Sequence, residues 1–140
     1  MTWADDYRAA GGSVADAVAS MLRDATLTSV LTKLSDSATD PEPTVVRIAG
    51  YERDEVASGD ERGIWKIELW VCRERSDDAE AYALGYEKVL RTEQWKNYAG
   101  AYLNRITGID TDAPEPAGRD SSGRYLWMVN VYVSAARSVV

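Results

Sequence analysis

The segment that most limits the possible folds lies near the C-terminus, where residues 125–134 read YLWMVNVYVS. Apolar side chains occupy both alternating faces of this run, and β-branched and aromatic residues dominate it. A strand that is apolar on both faces is covered on both sides, which favours a central position in a sheet. The sequence therefore predicts a domain built around a sheet.

A second strand is predicted from Ile64 to Arg73, with a partner strand beginning at Thr44. Its alternation places one apolar set on a single face and leaves Lys66 and Glu68 on the other; that apolar set is Trp65, Ile67, Leu69 and Val71. Residues 57–63, ASGDERG, indicate the polar end of a hairpin between the two strands. Trp70 lies on the polar side, so it either packs beneath a helix or marks a contact surface, and packing is favoured.

Three helical segments are predicted around these strands. Ser13 and Asp16 resemble a capping box at the start of the first helix. Apolar spacing favours a second short helical turn from Thr28 to Leu34. The third helix begins at Asp77 or Asp78 and has acids in its first turn.

The remaining segments complete an α+β domain. Residues 101–109 favour a strand, and residues 110–124 read as a polar loop whose Pro and Gly residues forbid regular structure. The predicted order is α-α-β-β-α-β-β, which indicates a largely antiparallel sheet of four strands, or slightly more, with helices packed on it. The 140 residues fit one domain, 1–140.

Composition excludes several classes of function. The chain has no His and one Cys, so imidazole-based catalysis, His-ligated metal sites and disulfide frameworks are excluded. Asp110 and Asp112 superficially suggest a calcium loop, but the following residues do not supply the required ligands. A net charge of -7 argues against a nucleic-acid clamp, and no stretch is apolar enough for a membrane span. We expect no enzyme activity, no cofactor and no metal.

The predicted hairpin carries the most unexplained charge. Residues 52–62, ERDEVASGDER, hold five acids and two Arg, a net charge of -3. One interpretation is a solvated hairpin end. The other is an arm that pairs with a neighbouring subunit, in which mixed charges fix the register and discourage wrong partners.

In order and pattern, nearly the whole chain resembles the tail terminator proteins of long-tailed phages, of the minor tail protein U type. The similarity lies in DPEPTVVRIAGYERDEVASGDERGIWKIELWV, in the helix DDAEAYALGYEKVL, and in GIDTDAPEPAGRDSSGRYLWMVNVYV. These segments match a proline-led strand, an acidic hairpin, an aromatic-led strand, a helix, and an acidic loop before a final hydrophobic strand. No invariant motif and no catalytic residue is part of the resemblance.

The resemblance implies a virion structural protein, assembled in the host cytoplasm and located at the head-proximal end of the tail. Such subunits form a hexameric ring that caps the tail tube, ends its polymerisation and provides the head-joining surface. The implied partners are copies of the chain itself, the tail tube protein and a head-completion or neck protein, and DNA passes through the ring without specific binding.

We expect the subunit or partner contacts in the charged hairpin and in the 110–124 loop. The candidate residues are Glu52, Arg53, Asp54, Glu55, Asp60, Glu61, Arg62, Asp110, Asp112, Glu115, Arg119, Asp120 and Arg124. Two alternatives stay open: another neck component, such as a head-closure or head-tail adaptor protein, and, less favoured, a small-ligand-binding α+β domain.

Overall fold

A computed structural model describes Thr2, Asp5 and residues 13–32, 40–57, 60–92 and 105–138. Within these residues two helices pack on a five-stranded antiparallel sheet, which confirms the predicted α+β class. The elements are α1 (Val14–Thr26), β1 (Thr44–Ala57), β2 (Asp60–Arg73), α2 (Ser76–Arg91), β3 (Arg105–Thr111), β4 (Glu115–Arg119) and β5 (Tyr125–Ser138).

The sheet order is β1-β2-β5-β3, and β4 pairs with the first part of β5. The strand predicted to be central, β5, does lie between β2 on one side and β3 and β4 on the other. Among the described strands, β2 and β5 have partners along both edges, whereas β1 and β3 are the ends of the order. Among the described residues, the sheet therefore ends at β1 on one side, where Leu31 forms an isolated bridge, and at β3 on the other.

Alternation along the strands determines which face the helices cover. Ile67, Leu69 and Val71 are fully buried on one face, as their spacing predicts, and β5 contributes Val129 and Val131 beside them. We call this helix-covered side the inner face and the opposite side the outer face. Apolar residues of α1 and α2 complete the core: Val14, Val18, Met21, Leu22, Ala83, Tyr86 and Leu90.

Helix α1 begins at the predicted capping box. Asp16 N donates to Ser13 Oγ at 3.1 Å, and Ser13 N donates to Asp16 Oδ2 at 2.8 Å. These bonds satisfy two backbone N–H groups that the helix cannot pair internally. The helix ends at Leu27, which adopts the left-handed conformation (φ 56°) and donates to the Arg23 carbonyl.

The predicted helical turn from Thr28 to Leu34 is wrong over its described residues, 28–32. Leu31 N donates to the Thr44 carbonyl and Val46 N donates to the Leu31 carbonyl, both at 2.8 Å, so Leu31 forms a parallel bridge beside β1. β-Branched Thr28 and Val30 suit extended backbone. Val30 is buried there, so its apolar spacing reflected burial of an extended segment rather than of a helix.

The predicted hairpin between the two strands is confirmed, but its predicted polar end, residues 57–63, is too long, because Ala57 and residues 60–63 belong to the strands. β1 runs to Ala57 and β2 begins at Asp60, with register pairs up to Ala57 and Asp60. Only residues 58–59 between them lie outside the described residues. Charged residues were expected to mark a loop, but hydrogen bonding between strands tolerates them where their side chains reach water or pair with each other.

Residues 110–124 are more regular than predicted. β3 continues to Thr111, and Glu115–Arg119 forms β4 at the sheet edge. Pro116 is tolerated there because an edge strand needs hydrogen bonds on one side only. Gly118 has φ 89° at an irregularity in the pairing with β5, a conformation that glycine adopts without steric cost. The predicted strand 101–109 is observed from Arg105; residues 101–104 lie outside the described residues.

The prediction that Trp70 packs beneath a helix is wrong for the two described helices, which cover the opposite face of the sheet. The register partners of Trp70 are Val45 and Met128 on the outer face, opposite α2. It is half-buried there, and its indole Nε1 donates to Glu68 Oε1 at 3.3 Å. The helices cover the other face because Leu69 and Val71, on either side of Trp70 in sequence, point inward.

Candidate interaction surface

The charged hairpin forms an arm at one end of the sheet, and we use this name for residues 51–57 and 60–65. Ile48 lies on the inner face of β1 opposite buried Ile67, yet it is 40% exposed. The described helices therefore cover the inner face of β1 only to about this level. The arm continues beyond it, paired on one side with β5 up to Ser138.

Glu61 is the centre of the arm. Its side chain is 3% exposed, and its two carboxylate oxygens bind two guanidinium groups: Arg53 Nε lies 2.8 Å from Oε1, and Arg137 Nε lies 2.5 Å from Oε2. The Tyr51 hydroxyl donates to Oε2 at 3.2 Å. One carboxylate therefore joins β1, β2 and β5.

The electrostatics of Glu61 favour its ionised form. Desolvation by burial acts to raise its pKa, but hydrogen bonding and attraction from Arg137, with smaller contributions from Tyr51 and Arg53, outweigh it. The pKa of Glu61 is thus lowered from its ordinary value. The pKa of Tyr51 is raised, first by desolvation and then by its hydrogen bond to Glu61.

Close packing of Tyr51 against Trp65 and Gly63 also supports the Glu61 cluster. The Tyr51 and Trp65 rings lie with centroids 4.4 Å apart, on adjacent strands. The Tyr51 ring passes over Gly63, where a Cβ atom would clash with the phenol group. Gly63 therefore lets the ring reach Glu61, and the arm has its own small core of aromatic rings and ion pairs.

A second polar cluster anchors the turn between β4 and β5. Asp120 accepts from Ser122 N at 3.0 Å and from Arg124 N at 2.8 Å, and its other oxygen accepts from Arg124 Nε at 2.7 Å. Arg124 Nη1 also donates to the Pro41 carbonyl at 2.7 Å. Desolvation opposes ionisation of Asp120, but its hydrogen bonds from Arg124 prevail and lower its pKa. The turn is therefore fixed to the segment that precedes β1.

Buried Arg73 forms a third cluster, which sequence reasoning missed. Its guanidinium donates to the carbonyls of Glu42, Pro43 and Cys72 at 2.9, 3.3 and 2.7 Å, and to Thr44 Oγ1 at 3.0 Å. It also lies 4.3 Å from the Tyr82 ring centroid, in cation–π geometry. Carbonyl oxygens and an aromatic face thus solvate this cation in place of water.

A chain of hydroxyl groups extends from Arg73 to α1. The Tyr86 hydroxyl lies 3.5 Å from Arg73 Nη2 and 2.8 Å from Thr28 Oγ1, which lies 2.7 Å from Thr26 Oγ1. Thr26 Oγ1 donates to the Leu22 carbonyl at 2.5 Å. These bonds connect β2, α2 and α1 in one network.

The thirteen predicted contact residues separate into two groups. Those exposed to solvent are Glu52, Arg53, Asp54, Asp60, Arg62, Asp110, Asp112, Glu115 and Arg119. Glu61 is buried, and Asp120 and Arg124 are half-buried in their own ion pair, so these three hold the fold together. Of Glu55 only the backbone position in β1 is described.

A pocket of about 310 Å³ lies between the end of α1 and the face of α2. Its lining in the described chain consists of Thr26, Thr28, Ala81, Tyr82, Gly85 and Tyr86, with no carboxylate. A pair of inward-facing acids, which a carboxylate-using enzyme requires, is not present in this lining. Within the described ranges, no three Cys, Asp or Glu side chains converge to hold a metal ion.

The described helices include none that is long and apolar enough to cross a membrane. The chain matches no known protein-family model, and no curated protein is significantly similar to it in sequence.

Proposed function

We propose that the chain is a virion structural protein that forms a ring on the phage tail tube, ends tube polymerisation and joins the tail to the head. The resemblance in segment order motivates the proposal. The observation that carries it is the arm: a hairpin rich in exposed charge that extends past the described helices and is held rigid by Glu61.

Rigidity matters because association costs conformational entropy wherever a contact segment must be ordered. In the arm, Glu61 joins three strands and Tyr51 packs on Trp65, so little ordering is left for the moment of binding. The exposed charges Glu52, Asp54 and Asp60 then select partners by electrostatic complementarity. These properties fit a subunit whose work is assembly.

A ring also requires two different contact patches on each subunit, because closed cyclic assemblies use heterologous contacts. In the part of the chain that the structure describes, the sheet supplies two unlike edge strands, β1 and β3, on opposite sides. The net charge of -7 would give the ring an overall negative field, so DNA would pass without sticking. In this proposal the tube protein and a head-completion or neck protein bind the two faces of the ring.

Deletion of the gene and complementation test the proposed function. Without the protein, we expect tubes of uncontrolled length that do not join heads, as seen by electron microscopy. A wild-type copy should restore normal tails, and so should Lys88→Glu, a matched control at an exposed position on α2. Tails of normal length in the deletion strain would contradict the proposal.

Pull-down experiments separate a terminator from the alternative neck components. A terminator should capture the tail tube protein through one ring face. Capture of portal or connector protein alone would instead assign the chain as a head-closure or adaptor protein.

A further inference from the structure

We propose, on the premise of the ring function above, that neighbouring copies of this chain join edge to edge, β1 of one copy beside β3 of the next, with their charges paired in one register. The candidate surface consists of residues 47–57 of β1 and 105–112, which comprise β3 and the residue after it. Both edges belong to the same half of the sheet, and each lacks a strand partner among the described residues.

The free parts of the two edges match in position. On β1, the bridge from Leu31 occupies the edge as far as Val46, and no other described residue pairs with the strand beyond it on that side. On the opposite side, β3 pairs with residues 131–136 of β5, and β4 takes over at residues 125–128. We call two residues level when the register pairs of the intervening strands connect them straight across the sheet. By this definition, residues 131–136 of β5 are level, through β2, with the β1 segment beyond Arg47. Two copies placed side by side therefore bring free edge against free edge.

Strand direction allows regular pairing. Each neighbouring pair in the order β1-β2-β5-β3 is antiparallel, so β1 and β3 run in opposite directions. When a second copy continues the sheet in the same sense, its β3 lies antiparallel to β1 of the first. The contact is heterologous, as a closed ring requires.

Charge complementarity favours this contact in its unshifted register. Asp54 lies in the β1 bulge between Arg53 and Glu55, level through Arg62 and Gly63 with Ala135 and Ala136 of β5. Arg105 pairs with Ala136 and is therefore level with Glu55, so the exposed acid Asp54 lies next to the level of the exposed base Arg105 on the opposite edge. In unshifted pairing Asp54 and Arg105 come close to each other across the contact.

The opposite end of the same edges reverses the signs. Arg47 is level through Glu68 with Asn130, and Asp112 N donates to the Asn130 carbonyl at 3.0 Å. Arg47 and Asp112 thus share a level, again with opposite charges, and each also has a partner in its own subunit: Arg47 binds Glu68, and Asp112 accepts from the Tyr132 hydroxyl. Unshifted antiparallel pairing of β1 with β3 brings opposite charges together at both ends of the contact. Antiparallel pairing of two β1 edges would also bring Arg47 near Asp54, and Arg105→Glu distinguishes the two arrangements because only the contact of β1 with β3 includes Arg105.

Bulges restrict the partner further. β1 is irregular at Ala49 and at Asp54, and β3 is irregular at Thr107, between its pairs with Ala135 and Ser134. The irregularities at Asp54 and Thr107 fall within about one residue of the same level, whereas the one at Ala49 has no counterpart on β3. Bulges and charges normally protect an edge against pairing with other chains, so the bend shared by Asp54 and Thr107 favours a partner edge of matching shape.

Charge reversal with mixing tests the contact. Wild-type protein should self-associate in sedimentation experiments at its highest soluble concentration, and Arg105→Glu or Asp54→Arg should each weaken association about tenfold. A one-to-one mixture of the two variants should restore association, because native and charge-swapped contacts then alternate. The double variant should restore it as well, and Lys88→Glu should leave it unchanged.

Monomeric wild-type protein, unaltered association of Arg105→Glu, or failure of the mixture to recover would each overturn the edge contact. Circular dichroism of each variant verifies folding, which the exposure of Asp54 and Arg105 leads us to expect.

Cross-linking tests the register directly. Glu52 is level through Ile64 and Ser134 with Gly108, and a Cβ atom at Gly108 meets no other atom within 4 Å. Facing residues of antiparallel strands lie at a Cα separation of about 5 Å, which suits a disulfide. Oxidised Glu52→Cys/Gly108→Cys protein should form covalent multimers, whereas Glu52→Cys/Lys88→Cys should not. Equal cross-linking in both variants would overturn the register.

The terminator function and the edge contact can be disproved independently of each other. If deletion of the gene alters tail length but Arg105→Glu complements fully and assembles normally, the edge contact is wrong and the terminator function stands. If the deletion leaves tails unchanged while the mixing and cross-linking results hold, the edge contact stands and the ring serves another assembly.

Discussion

Glu61 and Arg73 show how one strand buries two charged residues of opposite sign in different ways. Both lie on the inner face of β2, at its two ends, and both are buried. Glu61 has two guanidinium partners, whereas Arg73 is surrounded by carbonyls, hydroxyls and one aromatic ring. A buried ion is tolerated only when its hydrogen-bonding groups have partners. Ion pairs supply these partners at the Glu61 end of β2, and neutral polar groups supply them at the Arg73 end.

Glu61→Gln should remove a pH dependence of stability. Because the folded-state pKa of Glu61 is lowered, its ionised form stabilises the wild type above the unfolded-state pKa of about 4.3. That contribution is lost as the pH falls through the lower folded-state pKa. Urea unfolding of both proteins at a series of pH values should show their free energies of unfolding converging as the pH falls from 5. A constant difference down to pH 2 would disagree with this assignment.

Tyr86→Phe should destabilise the fold by about 1–2 kcal/mol, because a buried hydroxyl that bonds Arg73, Thr44 and Thr28 is deleted. The matched control is Tyr82→Phe, which keeps the ring beneath Arg73 and removes only a hydroxyl of a 39% exposed residue. Thermal unfolding of the two variants provides the comparison. Equal losses would show that the hydroxyl chain contributes nothing specific.

At the scale of elements, the alternation of inward and outward residues in β2 extends beyond the start of the strand predicted from the sequence. The inward set Trp65, Ile67, Leu69 and Val71 is confirmed. The same period continued in both directions passes through Glu61, Gly63 and Arg73, and all three are buried. Arg73 falls within the predicted strand, whereas the charge of Glu61 and the glycine at position 63 suggested a loop, although the period already indicated an inner face.

Other elements could not be predicted from local sequence. Leu31 is extended because it bonds to Thr44 and Val46, and no local pattern contains that long-range contact. β4 forms despite Pro116 and Gly118 because β5 offers a free edge for it. The exposed surface is harder still, since the register that brings Asp54 next to the level of Arg105 is set by three strand pairings at once.

Gly63→Ala should destabilise the arm, by about 1–3 kcal/mol, because the added methyl group displaces the Tyr51 ring from Trp65 and from Glu61. Gly50→Ala is the matched control on the neighbouring strand, where a Cβ atom meets no other atom within 4 Å. It should be neutral or slightly stabilising, since alanine lowers the entropy of the unfolded chain. A Gly63→Ala protein as stable as Gly50→Ala would contradict the close packing described.

At the scale of the whole molecule, Cys72 reports whether the arm and the opposite end of the sheet unfold together. Cys72 is buried, desolvation raises the pKa of its thiol, and it lies eleven residues along β2 from Glu61, about 36 Å at 3.3 Å per residue. Thiol reagents attack the thiolate, so the native protein should react slowly.

If the sheet is one cooperative unit, Glu61→Gln should accelerate the labelling of Cys72 at pH 7 by the factor that its loss of unfolding free energy dictates. Asp120→Ala, which opens the turn beside Cys72, should accelerate labelling beyond its effect on global stability, because Asp120 Oδ2 lies 3.7 Å from the sulfur. Labelling unaffected by Glu61→Gln, with a measured loss of stability, would show that the arm unfolds independently of the rest of the sheet.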